Sequence, residues 1–242
     1  MSQLSFGIIG YGRFGKVLHN LLEKCITSPV KIFDTNDSSS NNTINIKEVL
    51  SANIVFIAVP IKKFKECIEE ISQYNLQNTT IVDVCSVKVY PVNVMQEILP
   101  NNIGIICSHP LFGPDSYSQF RELKMMMYPI RDMNNHYLIL KKLFEKKAVR
   151  IVEMTPEKHD EMAASSQGIT HFIGRVLDDA GIHSTKINTL GFNDLLGVIE
   201  QTCNDSWDLF KDLQNYNPYT KKMIQSIESA IKNVKNNINM ED

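Results

Sequence analysis

The stretch from Phe6 to Leu22 constrains this chain more than any other. It reads Phe6-Gly7-Ile8-Ile9-Gly10-Tyr11-Gly12-Arg13-Phe14-Gly15, followed by apolar residues at Val17, Leu18, Leu21 and Leu22. An apolar run that ends in G-x-G-x-x-G and continues with apolar steps of three and four predicts strand, glycine turn and helix. In that context Gly10 allows the tight turn, Gly12 lets a pyrophosphate approach the backbone, and Gly15 lets helix and strand pack closely. The first N–H groups of the helix and its positive dipole end hold the anion. Gly10, Tyr11, Gly12, Arg13, Phe14 and Gly15 therefore form a candidate cofactor loop. The bland alternative is a glycine-rich turn without a ligand.

Val30 to Asp34 reads as a second strand that ends in an acid about 20 residues beyond the glycines, where a dinucleotide fold accepts hydrogen bonds from the adenosine ribose. Asp34 thus favours NAD over NADP; otherwise it is a turn residue before Thr35-Asn36-Asp37. Asn53 to Pro60 is a continuous apolar strand, as a parallel sheet covered on both faces requires. Val59 and Pro60 at its end complete the cofactor-binding set. Thr80 to Val84 and Ile103 to Cys107 are further strands, with helical spacing at Phe64 to Ile71 and Val92 to Leu99. Met125 to Ile130 is an edge-like strand, since Pro129 argues against a central position. Tyr137 to Lys147 is helical, and Ala148 to Val152 closes the series.

This alternation predicts an α/β fold: a doubly wound, mostly parallel dinucleotide-binding sheet over residues 1–153, followed by a smaller all-helical domain over 154–242. Thr155-Pro156 starts that second part, a cap followed by proline at the first helical position. Three helices are expected there: Lys158 to Ala180, Leu195 to Leu213 and Tyr219 to Ile238. Their core is thin, so they must pack on the first domain or on another subunit.

A formal net charge of −2 gives no footprint for nucleic acid, and no apolar run approaches the length of a membrane span. The five cysteines are scattered without a C-x-x-C pair, which argues against a metal site or a disulfide framework and for reduced thiols in a cytoplasm.

Three segments carry chemistry. Ser86-Val87-Lys88 follows the fourth strand, where a hydroxyl and an ammonium can orient a substrate and neutralise a carboxylate; a helix cap with a solvated lysine is the alternative. Ser108-His109-Pro110-Leu111-Phe112-Gly113-Pro114 follows the fifth strand, and there His109 can take a hydroxyl proton as hydride leaves. His159-Asp160 precedes Gln167, His171 and Arg175, whose spacing of four puts them on one helix face or makes them a solvated polar face. His19, His136 and His183 stand without supporting partners.

Together, the glycine loop, Asp83-Val84-Cys85-Ser86-Val87-Lys88, His109 to Pro114, and His159-Asp160 with Ser166 to His171 resemble the prephenate/arogenate dehydrogenase family, nearest its plant-type arogenate dehydrogenase branch. The likeness continues through Ile187 to Phe192 and Asn204 to Phe210. It implies oxidative decarboxylation on the route to tyrosine, with hydride passing to a nicotinamide. Plant-type members often carry a Ser-Arg pair after the second strand for NADP, whereas this chain has Asp34-Thr35-Asn36, which favours NAD. His109 would receive the proton of the ring hydroxyl and Ser86 would orient that hydroxyl. Gln167 and His171 would line the substrate side, and two copies would join through the helical domain. Many family members hold a substrate carboxylate with a late arginine, but Glu200 stands there, so Arg175 and Lys88 are nominated. The loop after Gly113-Pro114 brings Gln119 where arogenate-preferring relatives are expected to carry an acid, which tilts the choice toward prephenate. The rival readings are a dehydrogenase of an amino-substituted prephenate and a nucleotide-binding relative without catalysis.

Overall fold

The computed structural model describes residues 4–35, 44–117 and 122–238. The chain divides into two compact units, Met1–His159 and Asp160–Asp242. The division falls six residues beyond the compositional change at 153/154 and keeps His159 with the sheet.

In the first unit β1 (Phe6–Ile9) leads into α1 (Arg13–Glu23), and β2 (Lys31–Phe33) into the short α2 (Ile46–Leu50). Then come β3 (Ile54–Ile57), α3 (Phe64–Ser72), β4 (Thr80–Asp83), α4 (Val89–Ile98), β5 (Gly104–Pro110) and α5 (Pro114–Tyr117). The unit ends with β6 (Leu123–Arg131), α6 (His136–Glu145) and β7 (Val149–Glu153). The strands form one sheet in the order β2-β1-β3-β4-β5-β6-β7. All neighbours are parallel except β5 and β6. The strand order reverses beside β1, the place where doubly wound sheets bind ligands beyond their carboxyl ends. β1, β3, β4 and β5 are buried along their whole length, as the apolar runs of β1 and β3 require, with the polar Asp83, Ser108 and His109 toward the ends of β4 and β5.

Two expectations change here. β6 lies inside the sheet and not at its edge, although it carries Pro129. Ile105 pairs with Arg131 and Ile106 with Pro129, so the register skips Ile130 beside the residue that has no N–H. β5 also runs past Cys107 to Pro110, because β6 pairs His109 with Met126 and Pro110 with Met125. His109 is therefore a strand residue, not a loop residue. Met125, Met126 and Met127 are buried core, in keeping with the methionine's adaptable shape.

The second unit continues from α7 (Pro156–Ala163) through a π-helical turn, Ala164–Gly168, into α8 (Ile169–Asp179). A Cβ at Gly168 would stand 3.1 Å from the Ala163 carbonyl oxygen, so the wide turn is built around a residue without one. α9 (Leu190–Cys203), α10 (Trp207–Asn215) and α11 (Thr220–Asn237) follow. The helix expected over 195–213 is thus two helices. Ser206 interrupts it: its side chain accepts from Leu209 N at 3.2 Å and starts α10, the ordinary task of a serine N-cap.

Candidate active site

The glycine loop fits a dinucleotide. Gly10 has φ +99°, and a Cβ there would lie 2.5 Å from the Ala58 carbonyl oxygen. A Cβ at Gly15 would fall 2.2 Å from the Gly10 oxygen, whereas one at Gly12 would meet no atom within 4 Å. Open space at the middle glycine and contact at the outer two is the cradle a pyrophosphate requires. No side chain caps α1, and its first turn holds no acid to compete with an anion. Arg13 and Pro60 are exposed, while Tyr11, Phe14 and Val59 are half-buried.

Asp34 stands beside this loop and braces it, since its Oδ2 accepts from Tyr11 N at 2.5 Å. His19, left aside in the sequence, is buried beneath the same residue. Its Nδ1 lies 2.8 Å from the Tyr11 hydroxyl and its Nε2 lies 3.3 Å from Glu23. His136 is likewise a partnered core residue, 2.8 Å from Thr80 Oγ1.

The second cluster lies where β4 and β5 end. The register pairs Asp83 with Cys107, so the turn carrying Ser86 and the strand end carrying His109 leave the same edge of adjacent strands. Ser86 is half-buried. Lys88 corrects the sequence expectation that it meets a substrate carboxylate: it is fully buried, and its ammonium binds Asp83 Oδ1 and the Ser108 carbonyl. Asp83 lies five residues back along the same turn, while the Ser108 carbonyl is supplied by the neighbouring strand. Asp83 Oδ1 also accepts from Cys85 N at 3.0 Å, and Ser108 Oγ donates to the Asp83 carbonyl at 2.7 Å. Burial pushes the Asp83 carboxyl up from its ordinary range, and the Lys88 ammonium opposes that.

His109 is 5% exposed. Its Nδ1 lies 2.8 Å from His159 Nε2, with the two rings edge to face and their centroids 5.0 Å apart. Burial, first, and then His159 and the Lys88 ammonium hold the His109 imidazole well below its usual value, so it is neutral at physiological pH. A neutral imidazole at a strand end is a proton acceptor. Sequence reasoning missed this partnership, because 50 residues separate the two histidines and nothing but the fold joins them.

The second unit holds its own polar cluster. Gln167 sits within the π turn, so the simple spacing of four with His171 and Arg175 does not describe one straight helix face. His171 Nδ1 is 3.9 Å from Asp205 Oδ2, and burial lowers its basicity more than Asp205 restores it. Arg175 also departs from expectation. It is buried, its Nη2 donates to the Asp205 carbonyl, and its guanidinium lies 4.6 Å from the Trp207 ring centroid. It is committed to the corner between α9 and α10 and is not an open cation. Its buried Nε has no hydrogen-bond partner among the described residues. Gln119 lies outside the described residues. Among the described residues no group of acids, histidines and cysteines could hold a metal ion.

Fold and site together define a dinucleotide-binding α/β protein with a buried, neutral histidine at a strand end, the frame of a dehydrogenase. Residues 34–158 match the family model described as prephenate dehydrogenase, nucleotide-binding domain. Residues 176–242 match a second, described as TYRAAT1-like, C-terminal domain. The chain is 30% identical over 249 residues to arogenate dehydrogenase 2, chloroplastic, of Arabidopsis thaliana, covering 97% of this chain and 70% of that protein. It is also 30% identical to arogenate dehydrogenase 1, chloroplastic, of the same plant, again over 97% of this chain but spanning only 39% of that longer protein. Among solved structures, prephenate dehydrogenase from A. aeolicus in complex with hydroxyphenyl propionate and NAD+ superimposes with a TM-score of 0.75 at 18% identity, covering 98% of this chain and 91% of that one. The chain belongs to the prephenate dehydrogenase family.

Proposed function

We propose that the chain oxidises and decarboxylates a cyclohexadienyl substrate, prephenate or arogenate, with NAD as hydride acceptor, in the formation of tyrosine. The observation that carries this reading is the neutral His109 at the β5 end, beside the Ser86 turn, in a domain whose glycine loop fits a dinucleotide. Gly10, Gly12, Gly15 and the start of α1 would hold the pyrophosphate, and Asp34 the adenosine ribose. When bound, NAD supplies the carbon that accepts the hydride. His109 Nε2 takes the proton of the ring hydroxyl, and Ser86 orients that hydroxyl. The ring carboxylate leaves as CO₂, and aromatisation drives the step. Gln167 and His171 are assigned to the substrate on the family resemblance. The test is absorbance of reduced cofactor with prephenate and with arogenate, each against NAD and NADP. Absence of reduced cofactor in all four mixtures would remove the proposal.

Asp34 supports NAD in this reading, because its charge repels a 2′-phosphate. Asp34→Ser is expected to shift the kcat/KM ratio toward NADP by roughly 10-fold, the scale of one charged hydrogen bond. An unchanged ratio would leave Asp34 as a brace for Tyr11 alone. We also assign the homodimer contact to the helical unit, where Ile187 and Leu190 are 87% and 80% exposed. Light scattering should then give twice the chain mass, and a single-chain mass would exclude the assignment. No helix among the described residues is long and apolar enough to cross a membrane. All five cysteines are free, which is in keeping with a reducing compartment, and the cytoplasm is the one we propose.

A further inference from the structure

A general base that relies on an imidazole needs one ring nitrogen to carry a proton and the other to keep its lone pair. The tautomer is set by whatever binds the nitrogen that faces away from the substrate, and in many hydrolytic sites that partner is a carboxylate. Here it is a second imidazole. His159, on α7 and itself buried, brings Nε2 to 2.8 Å from His109 Nδ1.

We propose that His159 is the positioning residue for His109: its Nε2 accepts the His109 Nδ1–H, which leaves the His109 Nε2 lone pair for the substrate hydroxyl. The inference rests on the reading of His109 as the base. The surroundings bear on why an imidazole and not a carboxylate stands there. Lys88 reaches the Ser108 carbonyl, one residue from His109, with its charge matched by Asp83. On β6 the register partner is Met126, which is apolar and buried. Lys88, from the turn before α4, and His159, from α7, are the titratable groups whose charge bears on His109, and Asp83 on β4 pairs with Lys88. A carboxylate in place of His159 would stabilise the imidazolium and keep the base protonated to higher pH. An imidazole offers an acceptor nitrogen without a carboxylate's negative charge. When His109 takes the substrate proton on Nε2, its Nδ1–H bond to His159 is retained, so the ring stays in place while the charge forms.

The first test needs no variant. Long-range proton–nitrogen correlation of the imidazoles in the wild-type protein at neutral pH should show His109 protonated at Nδ1 and bare at Nε2. The opposite tautomer, with His159 donating, would overturn the proposal whether or not the chain turns over substrate. The second test is kinetic. His159→Met should lower kcat by about 10–100-fold, the scale for groups that orient a reacting ligand, with little change in KM or NAD affinity. His159→Gln, which keeps an acceptor, should recover a substantial part of that loss. In His159→Glu the acid limb of the kcat/KM profile should move to higher pH by about 1 to 3 pH units. An unmoved limb in an active His159→Glu protein, or undiminished kcat in His159→Met, would overturn the proposal. If the wild type reduces NAD with neither substrate, the functional reading fails separately, and the tautomer measurement still decides the pairing.

Discussion

His109→Ala is expected to lower kcat by roughly 10²–10⁴-fold, the usual contribution of one positioned acid–base group, with NAD affinity little changed. The cofactor loop is built from β1, α1 and Asp34, none of which uses the imidazole, so binding and chemistry separate in this variant. The pH dependence follows from the same burial. His109 acts only while neutral, and its basicity is depressed, so activity should persist below the ordinary histidine range and fall on an acid limb under pH 6.5. The measurement is the kcat and kcat/KM profile of NADH formation from pH 5 to 9. Near-wild-type turnover in His109→Ala would remove the residue from the mechanism.

Lys88→Met is expected to destabilise the protein by about 3–5 kcal/mol, because it leaves the buried Asp83 carboxylate without its counter-ion. The change would be felt at the site as well. Lys88 ties Asp83 at the end of β4 to the Ser108 carbonyl on β5, so it holds the Ser86 turn and the His109 strand together. Pairing the change with Asp83→Leu should restore most of the lost stability, since an apolar pair of similar volume avoids the uncompensated charge. Denaturant melts of the single and double variants decide this. A loss below about 1 kcal/mol in Lys88→Met would mean that solvent reaches Asp83 and that the pair is not a clamp.

Much of the molecule is legible in local patterns. Unbroken apolar runs such as Ile54–Ile57 are read as parallel strands because both faces of such a strand are covered. The glycine loop is read because each glycine answers a distinct steric demand, which the close approaches at Gly10 and Gly15 bear out. Helix starts at Thr155-Pro156 and strand ends elsewhere follow from side-chain and ring chemistry that acts within a few residues.

What resisted the sequence were partners and registers that periodicity does not encode. Pro129 argues for an edge, but the sheet places β6 inside and skips Ile130 to accommodate it. Ser206 breaks a continuous apolar periodicity through a single hydrogen bond to Leu209 N. Lys88 and Arg175 read as open cations because a charged side chain is ordinarily solvated. Each proves to be buried against a partner, Asp83 in one case and the Asp205 carbonyl with Trp207 in the other.

The sequence by itself determined the alternating α/β order and the glycine turn between β1 and α1, since these depend on steric and periodic rules among near neighbours. The tertiary structure alone decided which lysine is a buried tie, that β5 carries His109 as part of the sheet, and that a second histidine 50 residues away meets it. A hydrogen bond between distant residues leaves no periodic trace in the chain, and its geometry exists only once the strands and α7 are in place.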